Sequence, residues 1–411
     1  MFEWSDEHLA IRDAIRSFVD NEVVPNIDAL EHEGVPPYEV IRKMYRTFGM
    51  DEMARESFKR ALERKIAGET GRPERRGGDN SAAMTLIPII ELCRHCPGIV
   101  TSMGVSTGLA GGTIMKGGTP EQMERWGLDL MTMDKIGAWA ITEPDSGSDA
   151  LGGMRTTARP DGDEWILNGS KTYITNGPYA DTIVLYAKLD DGSEEDPRKR
   201  EVLTFVLDKG MEGLVQSAPM RKMGLKSSPT GELFLSDVRV GVDRLLGGRK
   251  DPSRSKSEGR ESAKENFVTE RAGVAAMSLG VIEECLALSI DYAKSRVLWG
   301  KPIAQHQLIQ LKLAKMEVAR LNVQNLVFRH IEAAAEGEPT TMAEASAMKL
   351  YSAQAAVAVA NEAIQLFGGN GYVSEYRVEQ LARDARVLQI YAGTDEMQVV
   401  AIAKDLLSRD A

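Results

Sequence analysis

Between residues 5 and 48 the apolar positions Leu9, Ile11, Ile15, Phe18, Val19 and Val23 recur at spacings near three and four, which predicts helix. Ser5 has His8 three places on, not an acid or its amide, so no capping box is expected and Ser5 or Asp6 caps alone. Pro36 and Pro37 open a second helix through Tyr38–Phe48. Residues 55–78 read as a charged helix ending in a breaker-rich loop, RPERRGG. Residues 83–137 mix apolar and Gly-rich segments, with Pro120 at a helix start. From Trp139 to Val240 the period shortens. EWIL, KTYIT, DTIVLYAKL, EVLTFVL, GLVQSA and GELFLSDVRV are the predicted strands, with turns at Asn168-Gly169, Asn176-Gly177 and 190–192. Six short strands without helices between them predict a small antiparallel barrel or sandwich.

Residues 249–265 hold ten charges in seventeen positions and predict a solvated linker. Helical periodicity then returns over 268–296, 306–336 and 340–367, breaks at Gly368–Tyr372, and resumes over 374–389 and 394–408. The expected fold class is α+β, mainly α. It comprises an N-terminal helical domain over 1–137, a middle antiparallel β-domain over 138–245, a charged linker over 246–266 and a C-terminal four-helix bundle over 267–411. No internal repeat is visible.

The 411 residues suit two or three domains. With 50 basic against 61 acidic residues the net charge is −11, which argues against a nucleic-acid-coating surface. Three cysteines are too few for a disulfide framework and suggest a reduced compartment. No apolar run approaches the ~20 residues of a membrane span. The acidic, amphipathic N-terminus does not read as a secretory signal, so a cytoplasmic location is expected.

Five stretches carry candidate chemistry, and each has a plainer reading beside it. In Trp139–Asp149, Thr142, Ser146, Gly147 and Ser148 offer hydroxyls and accessible N–H groups that cradle a phosphate or a heteroaromatic edge; otherwise they form a Ser/Gly turn. In Gly169–Gly177, alternation puts Tyr173 and Thr175 on one face and Ile174 on the other, suited to flanking a planar cofactor or to an ordinary half-buried strand. Arg296, near a helix end with Trp299 and Gln307 after it, can bind a diphosphate or cap a helix dipole. Gln365–Tyr372 contains Gly368 and Gly369, which admit a ligand close to the backbone or end a helix. In the stretch from Arg386 to Gln398, Thr394 caps the last helix, with Met397 where a box would need an acid or amide.

In this order and spacing the five stretches resemble the acyl-CoA dehydrogenase family, over about 120–245 and 267–408 and loosely over 1–50. The resemblance implies FAD, an acyl-CoA thioester substrate, α-proton abstraction and β-hydride transfer to flavin N5, giving a trans-2-enoyl-CoA. It places Ile141 and Thr142 at the flavin ring edge and Ser148 toward the CoA side. Tyr173 and Thr175 would stack and bond at the isoalloxazine. Arg296, Trp299 and Gln307 would reach the FAD of a neighbouring subunit, with Gln365, Gly368 and Gly369 at its adenosine half. Thr394 and Glu396 match the last flavin-contacting pair. Contacts across subunits imply a homotetramer, or at least a dimer. Electron-transfer flavoprotein is the implied oxidant.

Most of the family keeps its base, a Glu, between Tyr and Gly of the motif that here reads Tyr391-Ala392-Gly393-Thr394. Ala392 cannot accept a proton. Isovaleryl-type and long-chain-type members instead place a Glu before an Arg at the start of the first bundle helix, and here that pair is Glu270-Arg271. Glu270 is therefore the expected catalytic base, with Arg271, Tyr391, Ala392 and Gly393 on the substrate side. The N–H of Ala392, with a flavin ribityl hydroxyl, would polarise the thioester carbonyl. The plainer reading of Glu270 is a helix-start glutamate favoured by the dipole. Asp395 and Glu396 are fallback bases, and Asp145 and Asp149 read as loop structure. Cys93-Arg-His-Cys96 lacks a second ligand pair, so no metal site is expected. Alternative readings on the same scaffold are an acyl-carrier-protein-linked dehydrogenase, a flavin monooxygenase, a catalytically silent partner subunit and a DNA-associated relative.

Overall fold

A computed structural model describes residues 3–69, 81–248, 258–338 and 340–408. The RPERRGG loop and the first half of the charged segment lie outside the described residues. Helices of ten residues or more are α1 (Asp6–Phe18), α2 (Tyr38–Thr47), α3 (Met50–Ile66), α4 (Ser81–Cys93), α5 (Glu258–Ser295), α6 (Gln307–Ala335), α7 (Met342–Phe367), α8 (Val378–Val387) and α9 (Asp395–Ser408).

The start of α1 corrects the expectation of a single cap. The Ser5 hydroxyl accepts the N–H of His8 at 3.3 Å, and His8 Nδ1 accepts the N–H of Ser5 at 3.2 Å. The imidazole nitrogen takes the place of the carboxylate in a complete box. Pro37 caps α2. Pro120 opens a short helix under a Thr119–Gln122 box.

The strands of the main sheet are β1 (Gly137–Ala140), β2 (Thr157–Asp161), β3 (Glu164–Thr175), β4 (Thr182–Leu189), β5 (Val202–Asp208), β6 (Leu214–Gln216) and β7 (Thr230–Gly241). They form one sheet ordered β1-β4-β2-β3-β7-β6, with β5 on β4. Every residue of β4 is buried. Four pairings are antiparallel, as expected, but β1 and β2 run parallel to β4. EWIL and KTYIT are one strand, because Asn168-Gly169 forms a bulge and not a turn. A Cβ at Gly169 would sit 2.7 Å from Thr156 Cα in the segment leading into β2, and φ is +147°. The pressure of that neighbour, invisible in the sequence, turns an expected corner into a kink.

α5 begins at Glu258, so the second half of the expected linker is helix. Its stretch Phe267–Ser295 is long and apolar enough to cross a membrane by composition, with mean hydropathy 1.6. Glu283 and Glu284 interrupt it, so the expectation that no apolar run approaches the length of a membrane span is not overturned. In the fold 72% of that apolar window is buried, packed against α4, α6 and α7. Ile15, Phe18, Leu86 and Ile90 from the N-terminal helices share one core with Val274, Ile282, Val359 and Leu388 from the bundle. The two helical regions are one packed body against which the sheet lies.

Candidate active site

The start of the bundle meets the sheet where Phe267 of α5 packs edge-on to Trp139 of β1, ring centroids 6.4 Å apart. One turn further along α5 stand Glu270 and Arg271. Glu270 is half-buried, and burial pushes its carboxyl up to about 7, against the pull of Arg271 and Lys349. Arg271 is buried and donates from Nη1 to Ser346 Oγ at 2.8 Å, while its Nε finds no partner among the described residues.

Facing them is the turn between α8 and α9. Ala392 and Gly393 both take left-handed backbone, φ +53° and +83°. Gly393 suits this backbone because without a Cβ it takes φ +83° at no steric cost. The turn is held by its carbonyls. Gln398 Nε2 donates to Gly393 O at 2.7 Å and Ala392 O at 3.1 Å, and Lys349 Nζ donates to Gly393 O at 2.8 Å. Among the described residues the N–H groups of Ala392 and Gly393 donate no hydrogen bond. Successive N–H groups in such a conformation form a concavity that receives an oxygen. Tyr391 is half-buried and donates from its hydroxyl to Met277 Sδ at 3.1 Å. Thr394 caps α9 by accepting the N–H of Met397 at 3.4 Å. Glu396 lies exposed one residue beyond Asp395.

On the sheet side Ile141 is buried and Thr142 half-buried, and Thr142 O accepts the N–H of Thr172 at 2.9 Å. Behind them Lys171 Nζ meets Glu143 Oε1 at 2.7 Å, both side chains buried. Burial pulls the Lys171 amine down to about 8. Burial also works to raise Glu143, but Lys171 and the amides of Arg155 and Thr156 hold that carboxyl below its usual range. Tyr173 sits at φ +56° within a second irregularity of β3 and is 69% exposed, while Ile174 is buried and Thr175 half-buried. The expected faces are present, but a left-handed residue and not a regular pleat turns the ring outward. Ser148 is exposed, and Asp145 and Asp149 pair with Arg155 and Arg198 at 2.8 Å each. Cys93 and Cys96 are buried, and Cys96 Sγ donates to Ser227 Oγ at 3.1 Å.

The remaining candidates lie elsewhere. Arg296 follows the far end of α5, roughly 39 Å from Glu270 at 1.5 Å per residue. Tyr292 stacks on Phe367 at 4.0 Å and accepts from Asn370 Nδ2 at 3.0 Å, which brings the Gly368–Tyr372 turn beside Arg296. Arg296, Gln307, Gln365, Gly368 and Gly369 are all exposed, and Trp299 is 85% exposed. The chain thus brings together two groups, one at each end of α5. The first fits a planar ring and a carbonyl: exposed Tyr173, hydroxyls of Thr142 and Ser148, and, among the described residues, unclaimed N–H groups and the buried, unpartnered Gln398 Oε1. The second offers a guanidinium and an open glycine turn, suited to a diphosphate. Sequence reasoning missed Lys349, Gln398 and the Glu143–Lys171 pair. Lys349 had a signal: it falls on the Ala345, Met348, Ser352, Ala356 face of α7, where a lysine has no place unless it has a partner.

Family models cover the chain in three successive parts: the acyl-CoA dehydrogenase N-terminal domain over 5–134, middle domain over 138–238 and C-terminal domain over 257–407. A curated relative, 3-(aryl)acrylate reductase of Clostridium sporogenes, is 34% identical over 406 residues, covering 98% of this chain and 99% of its own. The caffeyl-CoA reductase-Etf complex subunit CarC of Acetobacterium woodii is 33% identical over 408 residues, covering 99% and 100%. The solved glutaryl-CoA dehydrogenase of Mycobacterium smegmatis in complex with FADH2 superposes with a TM-score of 0.82 at 28% identity, covering 99% and 96%. None of these bears an isovaleryl-type or long-chain-type name, so the likeness extends to the family and not to that subgroup.

Proposed function

The chain belongs to the acyl-CoA dehydrogenase family of FAD-dependent oxidoreductases, and on that premise we propose that it oxidises an acyl-CoA thioester between its α- and β-carbons with Glu270 as the base. The chemistry FAD supplies when bound is acceptance of a hydride from the β-carbon. Everything else falls to the chain. The observation that carries the reading is a half-buried carboxyl at about 7 beside a turn whose N–H groups are unspent. A base poised near neutral pH removes an α-proton efficiently and returns it in the reducing direction. The N–H of Ala392 stabilises charge building on the thioester oxygen, which acidifies that proton. Thr142, Ser148, Tyr173, Thr175, Thr394 and Glu396 would hold the flavin end of the cofactor. Arg296, Trp299, Gln307, Gln365, Gly368 and Gly369 would hold the adenosine end of a cofactor seated in another copy.

The test is Glu270→Gln in flavin-loaded protein. Bleaching of the visible flavin band by acyl-CoA under anaerobic conditions should slow by about 10²–10⁴-fold. Bleaching at the wild-type rate would remove Glu270 from the role. The Clostridium relative's name brings 3-arylpropanoyl thioesters into the acyl panel, beside straight and branched chains. The Acetobacterium relative's name supports electron-transfer flavoprotein as oxidant. The separation of the two residue groups supports a homo-oligomer, a dimer or tetramer. Light scattering should give a multiple of the 45.0 kDa chain mass, and a monomer carrying tightly bound FAD would contradict it.

A further inference from the structure

We propose that Lys349 is a positioning residue for proton abstraction: it anchors the Gly393 carbonyl of the turn that carries the Ala392 N–H, and it supplies the buried positive charge against which Glu270 is set. The inference rests on the reading of Glu270 as base and deepens it.

Lys349 is fully buried in the middle of α7. A lone ammonium in that position is costly unless it is paired and hydrogen-bonded. Its hydrogen bond goes to Gly393 O at 2.8 Å, and its ion pair goes to Asp395 Oδ1 at 3.6 Å. The second contact is too long for a hydrogen bond, and Asp395 Oδ1 has none among the described residues. The other oxygen of Asp395 is taken by Gln354 and Gln389 at 3.1 and 3.0 Å. The amine therefore spends its directional bond on the turn and leaves its charge shared between two carboxylates, Asp395 and Glu270.

The geometry explains why the turn can face a substrate. In a trans peptide the N–H points opposite its own carbonyl, so Gln398 on Ala392 O turns the Gly393 N–H outward, while Lys349 and Gln398 on Gly393 O hold the Gly393–Thr394 peptide next to it. The charged and titratable groups around Glu270 are Arg271 from its own helix, Lys349 from α7 and Tyr391 from the turn, with Asp395 from α9 acting through Lys349. Arg271 and Lys349 both favour the carboxylate, while burial favours the acid. Arg271 is committed to Ser346, so Lys349 is the cation whose strength Asp395 can tune.

Two substitutions push in opposite directions, which general damage to the fold would not do. Lys349→Met keeps the length and removes the charge. The acidic limb of the rate of anaerobic flavin bleaching, near pH 7 in the wild type, should move up by about one unit. Below that limb the rate falls a further tenfold or so relative to the high-pH plateau, and the plateau itself settles below the wild-type value because the turn has lost its Lys349 anchor. Asp395→Asn returns the whole cation to Glu270 and should move the limb down. The Glu270 carboxyl band, read in substrate-free protein by infrared difference against Glu270→Gln, should titrate in step with both. If neither the limb nor the band moves in folded variants, or if both variants merely lower the rate at every pH, the assignment of Lys349 is overturned. Should Lys349→Met not fold, Asp395→Asn decides alone. If Glu270→Gln bleaches at the wild-type rate the base reading fails, and the infrared shift still tests Lys349.

Discussion

Asn176 is fully buried in left-handed backbone, φ +62°. Its Nδ2 donates to Ser102 O and Gly137 O, both at 2.9 Å, and its Oδ1 accepts from the Tyr38 hydroxyl at 3.1 Å. One amide thus ties helix α2 and the segment after α4 to the first strand of the sheet, directly before the Ile141–Thr142 edge. Asparagine is one of the few residues that accept this backbone conformation and satisfy three buried groups at once. Asn176→Ala removes all three hydrogen bonds, and unfolding in urea should show a loss of roughly 2–4 kcal/mol. A loss under about 1 kcal/mol would mean that other groups or water replace the amide. The same dependence on distant partners limits what sequence conveys at this scale. Tyr391, Ala392, Gly393 and Thr394 are legible because they are contiguous. Glu270 is legible only through the missing acid at Ala392 and a family resemblance. Lys349 and the Glu143–Lys171 pair are assembled from positions 46 and 28 residues away from their partners at Asp395 and Glu143, and no local spacing announces them.

At the scale of elements, periodicity finds what a single face determines. The helices α1, α2, α6 and α7 are visible because burial on one side repeats every three or four residues. The N-terminal part of α5 is hidden because charge density reports solvation and not backbone state; the run from Glu258 is as helical as the apolar turns after it. Strand β1 has four residues, and β2 carries an exposed Arg159, Pro160 and Asp161, so neither offers a hydrophobic alternation. Pro160 is tolerated because β4 pairs only with Thr157 and Ala158 of that strand, leaving its far end an edge. The two irregularities of β3 depend on β7 and on Thr156, which set its register from outside. One of them aims Tyr173 outward, so the feature that most shapes the edge proposed to face the cofactor is the one a strand's own residues do not encode.

Across the whole molecule, the three regions converge on residues 222–230. The N–H of Leu225 donates to Asp384 Oδ1 at 2.6 Å, the N–H of Ser227 to Glu31 Oε1 at 3.2 Å, and Lys222 Nζ to Leu225 O at 2.8 Å. Glu31 belongs to the N-terminal helices and Asp384 to the bundle, and both are buried. Burial and the nearby Glu31 push the Asp384 carboxyl up. A carboxyl raised in the folded state holds a proton that the unfolded chain has released. Its contribution to stability is therefore full below about 4, and is lost as pH climbs through the folded value of about 7. Asp384→Asn keeps an oxygen for Leu225 and removes the titration, so its stability should fall less than that of the wild type between pH 5 and pH 8. Equal slopes in thermal melts would exclude Asp384 as the source. The length of α5 reaches further still. On the proposed assembly, each coenzyme is gripped at one tip by one chain and at the other tip by its neighbour. Retention of the yellow prosthetic group then becomes a collective property, and thinning the solution should bleed away colour while every individual chain is still intact.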